Sequence, residues 1–122
     1  MTEKTKILVC VKCRMPGESK ELPFDQRSGG RLYSEIAAAA DGADDVEIVP
    51  VECFSVCKRP VTIGLSARGK WSYLYGDYPL QSADAILDAA RLYGGTDDGL
   101  IPWDQRPAAL KTGVVARTPP GD

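Results

Sequence analysis

Thr5-Lys6-Ile7-Leu8-Val9-Cys10-Val11-Lys12-Cys13 is the stretch that decides how the rest of the chain is read. Ile, Leu and Val follow one another with little alternation, the pattern of a strand buried in a sheet flanked by helices. A first strand is therefore predicted over Thr5 to Val11, with the cysteine pair Cys10 and Cys13 at its end. From Cys13 to Gly30 the chain carries Pro16, Gly17, Pro23, Gly29 and Gly30 among many polar residues, which reads as a long loop. Arg31 to Asp41 holds Leu32, Ile36 and the alanines 37–40, a helix-forming segment with Gly42 placed to end it in the left-handed conformation. Val46 to Val51 reads as a second strand and runs directly into Glu52 and Cys53. Two strands joined through a helix make a right-handed crossover and lie parallel. Their C-terminal ends then share one edge of the sheet, which brings the pair Cys10 and Cys13 beside the pair Cys53 and Cys57.

Beyond that unit, Val61 to Leu65 and Trp71 to Tyr75 favour strands on either side of Ala67-Arg68-Gly69-Lys70, an antiparallel hairpin. Ser82 can cap a second helix with apolar positions Ala83, Ile86, Leu87, Ala90 and Leu92, ending at Gly94-Gly95. The order strand, helix, strand, hairpin, helix is thioredoxin-like, with the usual middle helix shortened or lost. The predicted architecture is α/β: a four-stranded mixed sheet, made of a parallel β-α-β unit plus an antiparallel hairpin, with two main helices. Residues 1–95 form this domain. Residues 96–122 carry Pro102, Pro107, Pro119 and Pro120 and read as an irregular strap on the same domain, docked through Leu100, Ile101 and Trp103.

A length of 122 residues suits one domain with one core. Hydrophobic residues at 43% and charged residues at 26% are ordinary for a globular protein and argue against global disorder. The formal net charge is −2 and no stripe of Lys and Arg runs along the chain, so nucleic acid is not an expected partner. No stretch approaches the ~20 apolar residues of a membrane-spanning helix, so no membrane partner is expected either. The apolar run at residues 7–11 is too short for a signal-peptide core, which makes the cytoplasm the expected compartment. Thiols stay reduced there, and four cysteines are then better explained by metal binding or redox chemistry than by disulfides. Histidine is absent from the sequence, which excludes a Cys-His pair, a Ser-His-Asp triad and any imidazole metal ligand. A soft-ligand metal site must draw on sulfur, and four sulfurs close a tetrathiolate site.

Cys10-x-x-Cys13 and Cys53-x-x-x-Cys57 are spaced so that both thiolates of each pair can face one ion or one edge of a cluster. In a two-iron cluster each pair would hold one iron, while loop amides and the nearby Lys12 and Lys58 offset the negative charge. The same four sulfurs would equally serve a structural zinc site. One pair alone would serve a dithiol oxidoreductase, and all four could instead be buried as small hydrophobes. Trp71, Tyr73 and Tyr75 alternate along one strand, a pattern of core packing before it is one of an electron-exit or corrinoid-binding face. Arg59 and Arg68 read as solvated, and Asp25, Glu35, Asp44 and Asp45 make no acid and base pair.

Taken together, the strand, cysteine loop, helix, strand, Cys-x-x-x-Cys, Pro60 and hairpin resemble the thioredoxin-like [2Fe-2S] ferredoxins, including the cluster-bearing small subunit of respiratory dehydrogenases. The first cysteine pair is closer-spaced here than is usual among them, which keeps a mononuclear tetrathiolate site open. Four segments also resemble a bacterial family of predicted metal-binding proteins, often encoded beside genes of aerobic cobalamin synthesis and cobalt handling. They are Val9 to Arg14, Glu52 to Pro60, Gly69 to Asp77 and Gly99 to Trp103. The resemblance implies a [2Fe-2S] electron carrier or accessory protein, not an enzyme on its own, with Cys10, Cys13, Cys53 and Cys57 as ligands. A redox protein or an enzyme of cobalamin synthesis is the implied partner, with a homodimer allowed. A thiolate metallochaperone for cobalt or zinc and a dithiol oxidoreductase are the alternatives.

Overall fold

β1 (Thr5–Cys10) lies parallel to β2 (Val46–Val51), and α1 (Ser28–Ala39) makes the crossover between them. The structure is a computed structural model describing residues 4–11, 17–19, 21–23, 26–41, 44–52, 62–76, 83–102, 104 and 114–119. On the other side of β1 runs β3 (Ile63–Ser66), antiparallel to it, followed by β4 (Ser72–Tyr75), α2 (Ala83–Gly94) and β5 (Val114–Thr118). The sheet order is β2-β1-β3-β4-β5. β2 is an edge strand, which is where its Pro50, lacking an N–H, is tolerated.

One face of the sheet carries Ile7 and Val9 of β1, Ile63 and Leu65 of β3, and Tyr73 and Tyr75 of β4, in register across the ladder and all buried. Leu32 and Ile36 of α1 and Ile86, Leu87, Ala89, Ala90 and Tyr93 of α2 join them in one core. Each of these side chains contributes ~1.5–3 kcal/mol when it is large and fully buried. The hairpin turn closes as predicted, with Gly69 at a φ of 77° and the Lys70 N–H donating to the Ala67 carbonyl at 3.1 Å. Tyr73 stacks on Tyr75 at a centroid distance of 5.7 Å and meets Tyr93 edge-on at 6.5 Å, so the alternating tyrosines are core residues. Trp71 is half-buried, with the Arg117 guanidinium 4.9 Å from its ring centroid.

Three expectations are corrected. The sheet has five strands because Val114–Thr118, expected to be irregular, pairs antiparallel with β4 across a bulge at Leu74 and Tyr75. Two valines and a threonine between Gly113 and Pro119 are strand formers, a pattern masked by the surrounding prolines. α1 begins at Ser28, so Gly29 and Gly30 belong to the helix although their intrinsic propensity is poor. On α2 the buried stripe continues to Ala89 and Tyr93, whereas Leu92 is 40% exposed. Tyr93 follows Ala90, Ala89 and Ile86 by three, four and seven residues and so shares their face, which Leu92 leaves. Ile101 is buried and Leu100 packs on the core as expected, while Gly42, Ser82 and Trp103 lie outside the described residues.

α2 is tied to the start of β4 at Tyr93, whose hydroxyl donates to the Trp71 carbonyl at 2.5 Å. Burial pushes this hydroxyl up from its ordinary 10.0 to about 12, against a smaller lowering by the Ala67 backbone and with a small further rise from Tyr73. Between those two values the unfolded chain releases the proton and the native chain keeps it, so the stability contributed below pH 10 drains away as pH rises towards 12. Tyr93→Phe is expected to lower stability by ~1–2 kcal/mol at neutral pH, by removing the donor to Trp71. It should also flatten the loss between pH 10 and 12, which urea denaturation at several pH values measures.

Candidate metal centre

β1 ends at Cys10, which is buried at 4% exposure and held by backbone bonds on either side. Its N–H donates to the Thr62 carbonyl at 3.0 Å, and the next N–H, of Val11, donates to the Val51 carbonyl at 2.9 Å. Cys10 is thereby fixed between the start of β3 and the end of β2. In the parallel ladder its Cα partner is Val51. The Cys10 thiol reaches the Glu52 carbonyl oxygen at 3.8 Å, across a separation of 42 residues. Glu52 directly precedes Cys53, so the first predicted ligand touches the backbone that leads into the third.

Cys13, Cys53 and Cys57 lie outside the described residues, as do Lys12, Lys58, Arg59, Pro60 and Asp25. Among the described residues, no three His, Cys, Asp or Glu side chains are grouped to hold a metal ion. Arg68, Glu35, Asp44 and Asp45 are exposed, and Asp45 is engaged with Arg91 in a solvent-facing ion pair at 2.9 Å. The carboxylates thus leave the sulfur chemistry as the chain's candidate site, with Cys10 as its described member. No helix among the described residues is long and apolar enough to cross a membrane.

A further residue, which no motif in the sequence singles out, follows the first cysteine pair along the chain. Glu18 sits five residues after Cys13, and its carboxylate crosses to the start of α1. One carboxylate oxygen, Oε1, accepts from the Ser28 hydroxyl at 2.7 Å and the Ser28 N–H at 3.3 Å, while Oε2 accepts from Arg31 Nη2 at 3.1 Å. Arg27, the residue that precedes the first helical one, makes no side-chain cap of its own. The usual signal for a cap is a polar residue at the helix boundary, and here the cap comes from ten residues upstream.

A parallel β-α-β unit followed by an antiparallel hairpin and a second helix on the same sheet face is a thioredoxin-like arrangement, and solved structures share it. A thioredoxin-like [2Fe-2S] ferredoxin from Aquifex aeolicus superimposes with a TM-score of 0.60 at 21% identity, covering 98% of each chain. A structure of the wild-type thioredoxin-like [2Fe-2S] ferredoxin from the same organism gives 0.57 at 18% identity, over 93% of this chain and 98% of that one. Residues 7–120 match the family described as Protein of unknown function (DUF1636), and the chain belongs to that family. No curated protein sequence is significantly similar to it.

Proposed function

We propose that the protein is a one-electron carrier or accessory protein built around a [2Fe-2S] cluster held by Cys10, Cys13, Cys53 and Cys57. The observation that carries this reading is the 3.8 Å approach of the buried Cys10 thiol to the Glu52 carbonyl, next to Cys53. Chain connectivity supports the rest. Cys13 follows Cys10 by three residues, which limits their Cα separation to ~11 Å. Val51, partnered with Cys10 across a strand spacing of ~4.8 Å, precedes Cys53 by two residues, which bounds the Cys10 to Cys53 separation at ~12 Å. Cys57 follows Cys53 by four residues and is bounded in the same way.

The donor set fits the cluster. Four thiolates are its usual protein ligands, and histidine is absent to compete with them. When bound, the cluster supplies a one-electron couple. The chain's own residues hold it: Cys10 is fixed by two strand ladders, and the core of Val9, Ile63 and Tyr75 beside it keeps water from that end of the sheet. The likeness to the Aquifex ferredoxins in fold supports the same reading. An acceptor in cobalamin synthesis or cobalt handling completes the proposal, on the resemblance of the four motif segments alone.

Protein produced and purified without air tests this directly. A red-brown chain with broad visible absorption that bleaches on adding dithionite, and whose reduced form gives a paramagnetic resonance signal, is the expected result. A colourless zinc-loaded chain, or a green or blue cobalt(II) one, would transfer the site to the metallochaperone reading.

A further inference from the structure

We propose that Glu18 is a positioning residue that latches the segment following Cys13 in sequence onto the N-terminus of α1. Its role at the metal rests on the cluster reading above, whereas the latch itself does not. The first turn of a helix presents N–H groups without intrahelical partners and a partial positive charge, both of which favour a carboxylate. Here the first turn is Ser28-Gly29-Gly30-Arg31, and its first three residues are buried, so water cannot readily satisfy it. Arg27, at the boundary, offers no side-chain oxygen. Glu18 fills that role: it takes the N–H and the hydroxyl of Ser28, and its other oxygen takes Arg31, whose Nη2 also donates to Ser28 Oγ at 3.2 Å.

The consequence is topological. Cys13 lies on a segment with two anchors, Cys10 at the end of β1 and Glu18 on α1, eight residues apart in sequence. The second anchor is reinforced downstream, where the Gln26 N–H donates to Pro23 O at 2.9 Å and Arg27 Nε donates to Leu22 O at 2.9 Å. Gly17, with a φ of 94°, makes the left-handed turn that delivers Glu18 to the helix. Releasing Glu18 moves the second anchor back to Leu22, four residues further along the chain. The latch therefore shortens the stretch of chain between fixed points on either side of Cys13 before any metal arrives, which is how preorganisation raises affinity.

The test uses the full reduced chain with Glu18→Ala and Glu18→Gln. For Glu18→Ala, hydrogen exchange at residues 28–31 and 17–19 should accelerate about tenfold, the size of a lost helix cap, and alkylation of Cys13 should speed up while that of Cys10 does not. Glu18→Gln keeps hydrogen-bond acceptance without the charge and should fall between the two. In loaded protein, iron loss to a chelator should quicken in the same order, with the urea midpoint lowered by no more than the loss of one helix cap. Unchanged exchange and Cys13 alkylation would overturn the latch. Faster exchange with unaltered Cys13 alkylation and iron loss would leave a helix cap and overturn the positioning role. A wild-type chain that holds no cluster would sink the proposed function, and exchange and alkylation would then decide the latch by themselves.

Discussion

Cys10→Ser, in protein purified without air, is expected to lose the visible spectrum and about nine-tenths or more of the bound iron, while the fold survives. Two terms decide this. Serine offers an alcohol that stays protonated where the cysteine gives a thiolate, so one of four strong ligands disappears and metal-binding free energy goes with it. The fold, by contrast, retains what Cys10 contributes to it. The backbone bonds to Thr62 and Val51 are untouched, while a serine hydroxyl, on its shorter bond, stops short of the Glu52 carbonyl that the thiol reaches at 3.8 Å. The remaining cost of burying a hydroxyl is ~1–3 kcal/mol. A protein that bleaches yet still folds, with a urea midpoint below that of the cluster-free wild type by no more than this cost, is therefore the expected outcome, read by absorption, iron content and urea denaturation. The distal pair separates the competing readings. A shared cluster requires Cys57→Ser to bleach the protein as well, whereas a dithiol oxidoreductase working through Cys10 and Cys13 would be indifferent to it. An unchanged spectrum in Cys57→Ser removes that residue from the ligand set and the shared centre with it.

Much of this framework is legible in the sequence because its determinants are local. Ile7 to Cys10 and Val46 to Val51 are apolar runs of strand length, the alanines at 37–40 specify a helix, and chirality makes the crossover parallel. From those facts alone Cys10 can be placed beside the start of the Cys53 segment, and the contact with Glu52 agrees. What escaped is what depends on distant partners. The start of α1 is set by Glu18, ten residues upstream of Ser28, so two glycines that read as loop are drawn into a helix. β5 is a short edge strand flanked by prolines, and its pairing is decided by the free edge of β4. Leu92 is apolar and reads as part of the helix's apolar stripe, yet helical phase gives that place to Tyr93, whose hydroxyl serves the Trp71 carbonyl. At α1 tertiary structure overrode a local preference, whereas at β5 and on α2 it completed a strand tendency and a helical phase that the local sequence already carried.

Gly99→Ala should produce a comparably large effect of the opposite kind: a loss of stability with the metal centre intact. Gly99 is buried with a φ of 85°, in the left-handed region where a side chain costs ~1–2 kcal/mol. An added Cβ would stand 2.8 Å from the Trp71 carbonyl oxygen and 3.0 Å from the Trp71 nitrogen. Both are backbone atoms that cannot swing aside. Relief requires moving the strap, and the strap is bound at every step: Thr96 Oγ1 donates to Tyr93 O at 2.7 Å, the Gly99 N–H donates to Thr96 Oγ1 at 2.8 Å, and the Trp71 N–H donates to Asp98 O at 2.8 Å. Losing even one of these adds ~1 kcal/mol, for a total of ~3 kcal/mol. For a chain of this size that lowers the melting temperature by roughly 10 °C. Trp71 precedes β4, and Tyr75, at that strand's far end, is the residue in register with Ile63 and Val9 beside Cys10. The damage therefore falls at the end of the sheet away from the cysteines. Calorimetry should record the drop while absorption at low temperature stays that of the wild type. A Gly99→Ala chain that melted normally would mean the strap moves without cost, and its bonds to Trp71 would then contribute nothing to holding the fold.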